Sequence, residues 1–236
     1  MKVGIIGAGG IAVTMARTLN QMEDATAYAV ASRSLEKAET FAKEHQVEKA
    51  YGSYEEMLQD PEVELVYVAT PHSHHYECMK LALCYGKPVL CEKAFTANAE
   101  QAEEILSISE EKKLFVGEAM WTRFLPSRKM IDEVVSSGEI GQVHMITANL
   151  GYDIRMVERL RNPALAGGAL LDVGIYPLTF IRMITSSKIT SIDTSCVKLE
   201  TGVDAQNTVT FVFEDGCMAT MHSSMLGGTE QAGIVY

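Results

Sequence analysis

Two sets of residues in this chain have the types and spacing for proton chemistry. Cys91-Glu92-Lys93-Ala94 puts a lysine beside an acid directly after a strand-like run. There the lysine could bind a substrate hydroxyl or shift a neighbour's pKa, or form a mere surface pair. Gly167-Gly168-Ala169-Leu170-Leu171-Asp172-Val173-Gly174-Ile175-Tyr176-Pro177 sets Asp172 and Tyr176 four apart, so on a helix they share one face. A tyrosine serves as acid or base once an adjacent cation lowers its pKa from about 10. The structural alternatives are a core tyrosine with a satisfied hydroxyl and a helix-capping aspartate.

What such groups would work on is suggested at the N-terminus. An apolar run, Val3-Gly4-Ile5-Ile6, breaks into Gly7-Ala8-Gly9-Gly10-Ile11-Ala12, and helical periodicity follows. Strand, glycine turn and helix in that order form the dinucleotide-binding pattern, with Ala12 in its third small position. Gly7 permits the tight turn, Gly9 lets backbone approach a pyrophosphate, and Ala12 lets the helix pack closely on the strand. The phosphates would meet the free N–H groups and positive dipole end of that helix. A second strand, Ala27–Ala31, ends in Ser32-Arg33-Ser34. NAD-binding versions carry an Asp or Glu about 20 residues after the glycines, to accept the ribose hydroxyls. Here a hydroxyl and a guanidinium stand there instead, a pair suited to a 2′-phosphate. NADP is therefore expected over NAD. Lys37, one helical turn on, either adds charge to the same phosphate or is a solvated lysine.

A further cluster, Thr70-Pro71-His72-Ser73-His74-His75, invites a metal reading, with residues 72 and 74 in a loop. No other His or Cys pattern supports it. It reads better as a loop wall beside the cofactor with His75 on a helix, and no metal is expected.

The elements that must position these groups alternate over the first half. Strands are expected at Lys2–Ile6, Ala27–Ala31, Lys49–Tyr51, Glu64–Ala69, Pro88–Cys91 and Leu114–Gly117. Helices are expected at Ile11–Gln21, Leu35–His45 (capped by Ser34), Ser53–Leu58, His74–Tyr85 and Ala99–Glu111 (capped by Asn98). Such alternation means parallel strands with right-handed crossovers, a doubly wound Rossmann α/β domain over 1–118. From residue 119 to 236 the pattern changes to an α+β domain on a mainly antiparallel open sheet. It has a helix at Pro126–Ser137, a glycine turn and helix at Pro163–Thr185, and strands at Val143–Leu150, Ile189–Leu199, Asn207–Phe213 and Cys217–Ser223. Asp215-Gly216 forms a hairpin turn. Ala232–Tyr236 reads as the start of a further strand, so this sheet of four or five strands is expected to be incomplete, through truncation or completion by a partner chain.

With 236 residues, 47% hydrophobic and 22% charged, the composition is ordinary for a globular protein. A formal net charge of −11 argues against nucleic acid and anionic membrane as partners. No run is read as long enough to cross a membrane, and no signal peptide is read. Five cysteines without a CxxC pair point to reduced thiols and a cytoplasmic setting.

Taken together, Gly7-x-Gly9-x-x-Ala12, Val68-Ala69-Thr70-Pro71, Glu92-Lys93 and Gly167-Gly168-Ala169 through Asp172 to Tyr176 are recognisable. The chain resembles, over essentially its whole length, the Gfo/Idh/MocA family of NAD(P)-dependent oxidoreductases. Tyr176, where many members carry His, and Glu118-Ala119-Met120-Trp121-Thr122-Arg123-Phe124 resemble the branch of dimeric dihydrodiol dehydrogenases and NADP–xylose dehydrogenases. The resemblance implies that Lys93 is the lysine of a Glu-Lys-Pro motif, here with Ala94 for the proline, and that Tyr176 is the general acid/base. Lys93 would hydrogen-bond the substrate oxygen, and Asp172 would orient or charge-balance Lys93. Trp121 and Phe124 offer a wall for a sugar ring or diol, Trp121 having domain packing as its alternative. The cofactor set is Gly7 to Ala12, Ser32, Arg33, Lys37, Thr70, Pro71, His74, Glu92, Lys93, Trp121 and Arg123. The expected activity is hydride transfer between NADP and a secondary alcohol or carbonyl of a sugar, polyol or diol. The alternatives are an imine or double-bond reductase and a silent NADP-binding regulator. A homodimer or higher homo-oligomer through the second sheet is expected.

Overall fold

The computed structural model describes every residue from Met1 to Tyr236, in two compact units, Met1–Ala119 and Met120–Tyr236. The first holds six strands and five helices: β1 (Lys2–Ile6), α1 (Gly10–Leu19), β2 (Thr26–Ala31), α2 (Leu35–His45), β3 (Lys49–Tyr51), α3 (Tyr54–Gln59), β4 (Leu65–Val68), α4 (His72–Cys84), β5 (Val89–Cys91), α5 (Ala99–Lys112) and β6 (Val116–Glu118). All pairings are parallel, in the order β3-β2-β1-β4-β5-β6. The order reverses between β1 and β4, the switch point where such sheets open a ligand crevice. The reasons are local. Ser34, Ser53 and Asn98 each accept a backbone N–H three residues on, starting α2, α3 and α5. The strands carry apolar side chains on both faces because both are covered. Ile6, Val66, Val68 and Val89 pack with Met79 and Leu83 on one side; Val3, Ile5 and Val30 pack with Ala12, Ala16 and Phe41 on the other.

The expected start of α4 at His74, with His72 in the loop before it, is corrected to His72. Pro71 caps α4, whose helical residues begin at His72, because the fixed φ of proline suits the entry of a helix.

The second unit opens with a 3-10 turn, Trp121–Phe124, then α6 (Pro126–Ser136), β7 (Met145–Gly151) and α7 (Glu158–Arg161). A 3-10 turn at Pro163–Leu165 and a π turn at Leu170–Gly174 lead into α8 (Ile175–Ile184). After them come β8 (Ile189–Lys198), β9 (Asp204–Phe213), β10 (Met218–Ser224) and β11 (Gly233–Val235). The sheet runs β11-β7-β10-β9-β8. It is mixed: β7 and β10 pair in parallel, while the other three pairs are antiparallel. The alternation along β9 and β10 follows one-sided burial, with Val209, Phe211, Phe213, Ala219 and Met221 facing Ile181 of α8. Residues 191–197 of β8, Ile192 and Val197 among them, are exposed.

Against the expectation that no run is long enough to cross a membrane, one apolar stretch of that length is present. Pro163–Ile184 reaches a mean hydropathy of 1.6 over such a window. In the fold it is interrupted by the left-handed Ala166 and by Gly168 at φ +119°, and its C-terminal helix packs on the sheet as a core element.

Candidate active site

At the end of β1 the chain turns at Gly7, with φ +101° and its N–H on Ala31 O of β2 at 2.9 Å. A Cβ at Gly7 would lie 2.9 Å from Ala69 O, at the end of β4, so any side chain would be strained and would collide. That same closeness shows the glycine turn and the Thr70 segment lying side by side. Gly9 precedes α1 in extended conformation with no side chain capping the helix, and nothing lies within 4 Å of a Cβ at Gly9 or Gly10. Ala12 is fully buried against the core. Uncapped amides at the start of a helix, under open backbone, suit a dinucleotide's pyrophosphate. The donor set therefore fits that group.

Beside the turn, Ser32 follows β2, its N–H on Tyr51 O at 3.2 Å and its hydroxyl accepting from Ser34 N–H at 3.4 Å. Arg33 and Lys37 are both exposed. Arg33 lies near enough to Tyr54 and Cys78 to oppose the rise that burial imposes on both; the Cys78 thiol still reaches about 11. No carboxylate stands at positions 32 to 34.

After β5, Glu92 is fixed from below. Its carboxylate accepts a short hydrogen bond from Tyr67, a buried phenol on β4, and a 3.2 Å bond from Lys93 N–H. Burial, and then the adjacent carboxylate, push the Tyr67 phenol far up, so it stays a donor. The Lys93–Ala94 peptide is cis, and the segment is gripped on both sides. Glu118 accepts Phe95 N–H at 2.9 Å, while His75, completely buried on α4, brings its ring nitrogens to 2.7 Å from Ala94 O and 2.9 Å from Thr70 O. Burial pulls the His75 pKa down, against the backbone groups of Ala94, Thr70 and Phe95, which favour the cation. His75 thus ties the loops after β4 and β5 together. His74 instead meets Ser73 Oγ at 2.9 Å, and the chain has no cluster of three metal-ligating side chains.

The second unit holds the other proton-bearing groups. Asp172 sits in the π turn, buried, with Arg159 Nη1 3.1 Å from its Oδ1. Tyr176 lies at the start of α8, and its hydroxyl accepts the Trp121 indole N–H at 3.2 Å, the two rings edge to face at 6.3 Å. Arg123 and Phe124 are exposed on the same 3-10 turn as Trp121. Sequence reasoning missed Tyr67, His75, Glu118 and Arg159 as supports. The pattern places His75 on a helix, but nothing local links it to residue 94, nor residue 159 to residue 172.

Two family models match the chain: "Oxidoreductase family, NAD-binding Rossmann fold" over residues 1–119 and "GFO/IDH/MocA C-terminal domain" over residues 129–235. The chain belongs to the GFO/IDH/MocA oxidoreductase family. Its first unit is that family's NAD(P)-binding Rossmann domain. Among curated relatives, the trans-1,2-dihydrobenzene-1,2-diol dehydrogenase of Bos taurus is 40% identical over 220 residues, covering 92% of this chain and 65% of its own. The NADP-dependent D-xylose 1-dehydrogenase of Hypocrea jecorina is 41% identical over 203 residues, 77% of this chain and 52% of its own. This GFO/IDH/MocA chain thus spans about two thirds of the first relative's length and half of the second's. A 3-ketoreductase from Actinomadura kijaniata, solved with NADP and TDP-benzene, superposes with TM-score 0.92 at 24% identity, over all of this chain and 73% of that one. At that identity the likeness is one of fold.

Proposed function

We propose that the chain is an NADP-dependent oxidoreductase for a secondary alcohol, or the matching carbonyl, of a sugar, polyol or diol. The observation that carries this reading is the Trp121 indole N–H on the Tyr176 oxygen. An indole can only donate, so it occupies a lone pair of the Tyr176 oxygen and fixes where that hydroxyl sits. In the oxidative direction the substrate O–H breaks and its proton passes to the Tyr176 oxygen; in reduction the phenol returns it. Bound nicotinamide supplies the hydride acceptor or donor. Lys93 holds the reacting oxygen and stabilises its developing negative charge. Asp172, in its pair with Arg159, holds the π turn that leads into the helix carrying Tyr176. Ser32 and Arg33, in place of a carboxylate, support NADP over NAD. The names of the two relatives support the substrate class.

The test pairs binding with turnover. NADP should bind more tightly than NAD, and nicotinamide absorbance should change with a polyol, sugar or diol from a panel. Binding without turnover on any of them, or turnover only with imines or activated double bonds, sinks the assignment. Five unbridged cysteines, three of them buried, support a reducing, cytoplasmic setting. Exposed Ile192 and Val197 on β8 support self-association through the second sheet.

A further inference from the structure

The turn carrying Asp172 and Tyr176 is irregular, and a polar seam from two strands lies beneath it. Asp204, at the start of β9, accepts Leu170 N–H at 2.7 Å and Asn207 Nδ2 at 2.9 Å on the same oxygen, Oδ2. Asn207 is held in turn by the Ser223 hydroxyl of β10, which donates to its Oδ1 at 3.0 Å. Asn207 and Ser223 are 8% and 1% exposed, so water competes little for the bond between them, which holds the partner of Asp204 in place. Apolar Ala169, Val173, Ala205 and Met225 pack together beside them.

Two glycines mark how closely the turn rests on this seam. A Cβ at Gly168, already at φ +119°, would fall 2.1 Å from Asp204 Oδ1, and one at Gly174 would fall 2.8 Å from Ser223 Oγ. Leu170 opens the π turn, and its N–H is one of the amides that a helix start leaves without an intrahelical acceptor. A carboxylate there satisfies the amide and complements the dipole of the helical run behind it. The donor and acceptor lie 34 residues apart, so the contact locks the turn to the sheet rather than to its own neighbourhood.

We propose that Asp204, oriented by Asn207 and Ser223, is the positioning residue that sets the π turn and thereby the placement of Asp172 and Tyr176. Its kinetic consequence rests on the reading of Tyr176 as the general base; its structural consequence does not. Hydrogen exchange in the full chain reads the structural part. Asp204→Ala should speed exchange of the Leu170–Tyr176 amides by about tenfold, with the amides of β1 to β6 unchanged. Asp204→Asn keeps an oxygen for both donors and should restore most of the protection. Turnover reads the kinetic part: kcat should fall about tenfold or more in Asp204→Ala, with KM for the nicotinamide cofactor within about twofold of wild type.

Unchanged exchange at Leu170–Tyr176 in Asp204→Ala would overturn the proposal. So would an Asp204→Asn variant as fast-exchanging as Asp204→Ala. Faster exchange with turnover unaffected in both Asp204→Ala and Tyr176→Phe upholds Asp204 as the anchor and removes Tyr176 from the chemistry. Should Asp204→Ala fail to fold, Asn207→Ala removes one of the two donors and must still speed exchange at the same amides.

Discussion

The two units hold their polar groups by opposite means. In Met1–Ala119 the polar groups at the strand ends are mostly backbone: the Gly7 turn, the uncapped amides of α1, and the Thr70 and Ala94 carbonyls tied by His75, at the ends of strands covered on both faces. In Met120–Tyr236 the groups proposed for proton chemistry are side chains, Asp172 in the π turn and Tyr176 at the start of α8, over a sheet covered on one face, with Arg159 on Asp172, Trp121 on Tyr176 and Asp204 on Leu170. A backbone site tolerates side-chain change but not a Cβ; a side-chain site tolerates small shifts in packing but not loss of a hydrogen-bonding atom. Binding and chemistry should therefore fail separately.

The sharpest break is in the side chains proposed for the chemistry, Tyr176 in the second unit and Lys93 in the first. Tyr176→Phe should lower turnover by about a hundredfold or more while cofactor affinity, read by nicotinamide fluorescence, stays put. Lys93→Met should do the same to turnover, and if activity survives both changes the division of labour is wrong. In the first unit, Gly7→Ala forces a Cβ to 2.9 Å from Ala69 O at positive φ. Cofactor binding should fall by about tenfold or more, with stability lower by about 1–3 kcal/mol in a denaturant titration. Retained binding would mean that the turn is not the phosphate cradle.

A smaller effect separates the two nucleotides. Arg33→Ala should weaken NADP by about tenfold or more and leave NAD nearly unchanged, for the loss of one charge-assisted contact. Equal losses for both would move Arg33 away from the 2′-phosphate.

The mildest test is acid titration of the first unit's polar knot. Asp60 Oδ2 receives Tyr51 OH at 2.6 Å, Lys49 Nζ at 2.9 Å and Tyr28 OH at 3.2 Å, while Oδ1 takes Glu62 N–H at 2.9 Å. Burial alone would raise its pKa, but these bonds outweigh burial and hold it well below the usual 3.8. The folded state thus prefers the carboxylate. That stability is complete above the unfolded value, shrinks as pH falls below it and is lost only through the lower folded value. Thermal unfolding followed from about pH 6 to about pH 3 should show Asp60→Asn less stable at the upper end, with the gap closing in acid. A constant gap would show that the knot acts by shape, not charge.

The cofactor loop was legible because its requirements are local. Gly7, Gly9 and Ala12 are demanded by one turn and one helix contact, so the spacing alone exposes them, and the alternation of strands and helices follows from burial on both faces. The start of α4 two residues before His74 is not legible because His72 and Ser73 carry weak helix preference, and Pro71 marks the entry only once the helix it caps has formed. The parallel β7–β10 pair was not legible either, since alternation along a strand tells which side is buried, not which neighbour lies beside it or in which direction.

The sequence by itself determined a Rossmann unit with a dinucleotide turn, a lysine after β5, and an Asp–Tyr pair on the helical segment of a second unit. Only the tertiary structure decided what holds them: Tyr67 under Glu92, His75 and Glu118 on the Lys93 loop, Arg159 on Asp172, Trp121 on Tyr176 and Asp204 on Leu170. Each of these contacts joins residues with no periodic relation along the chain. Chain folding creates them, so spacing carries no trace of them.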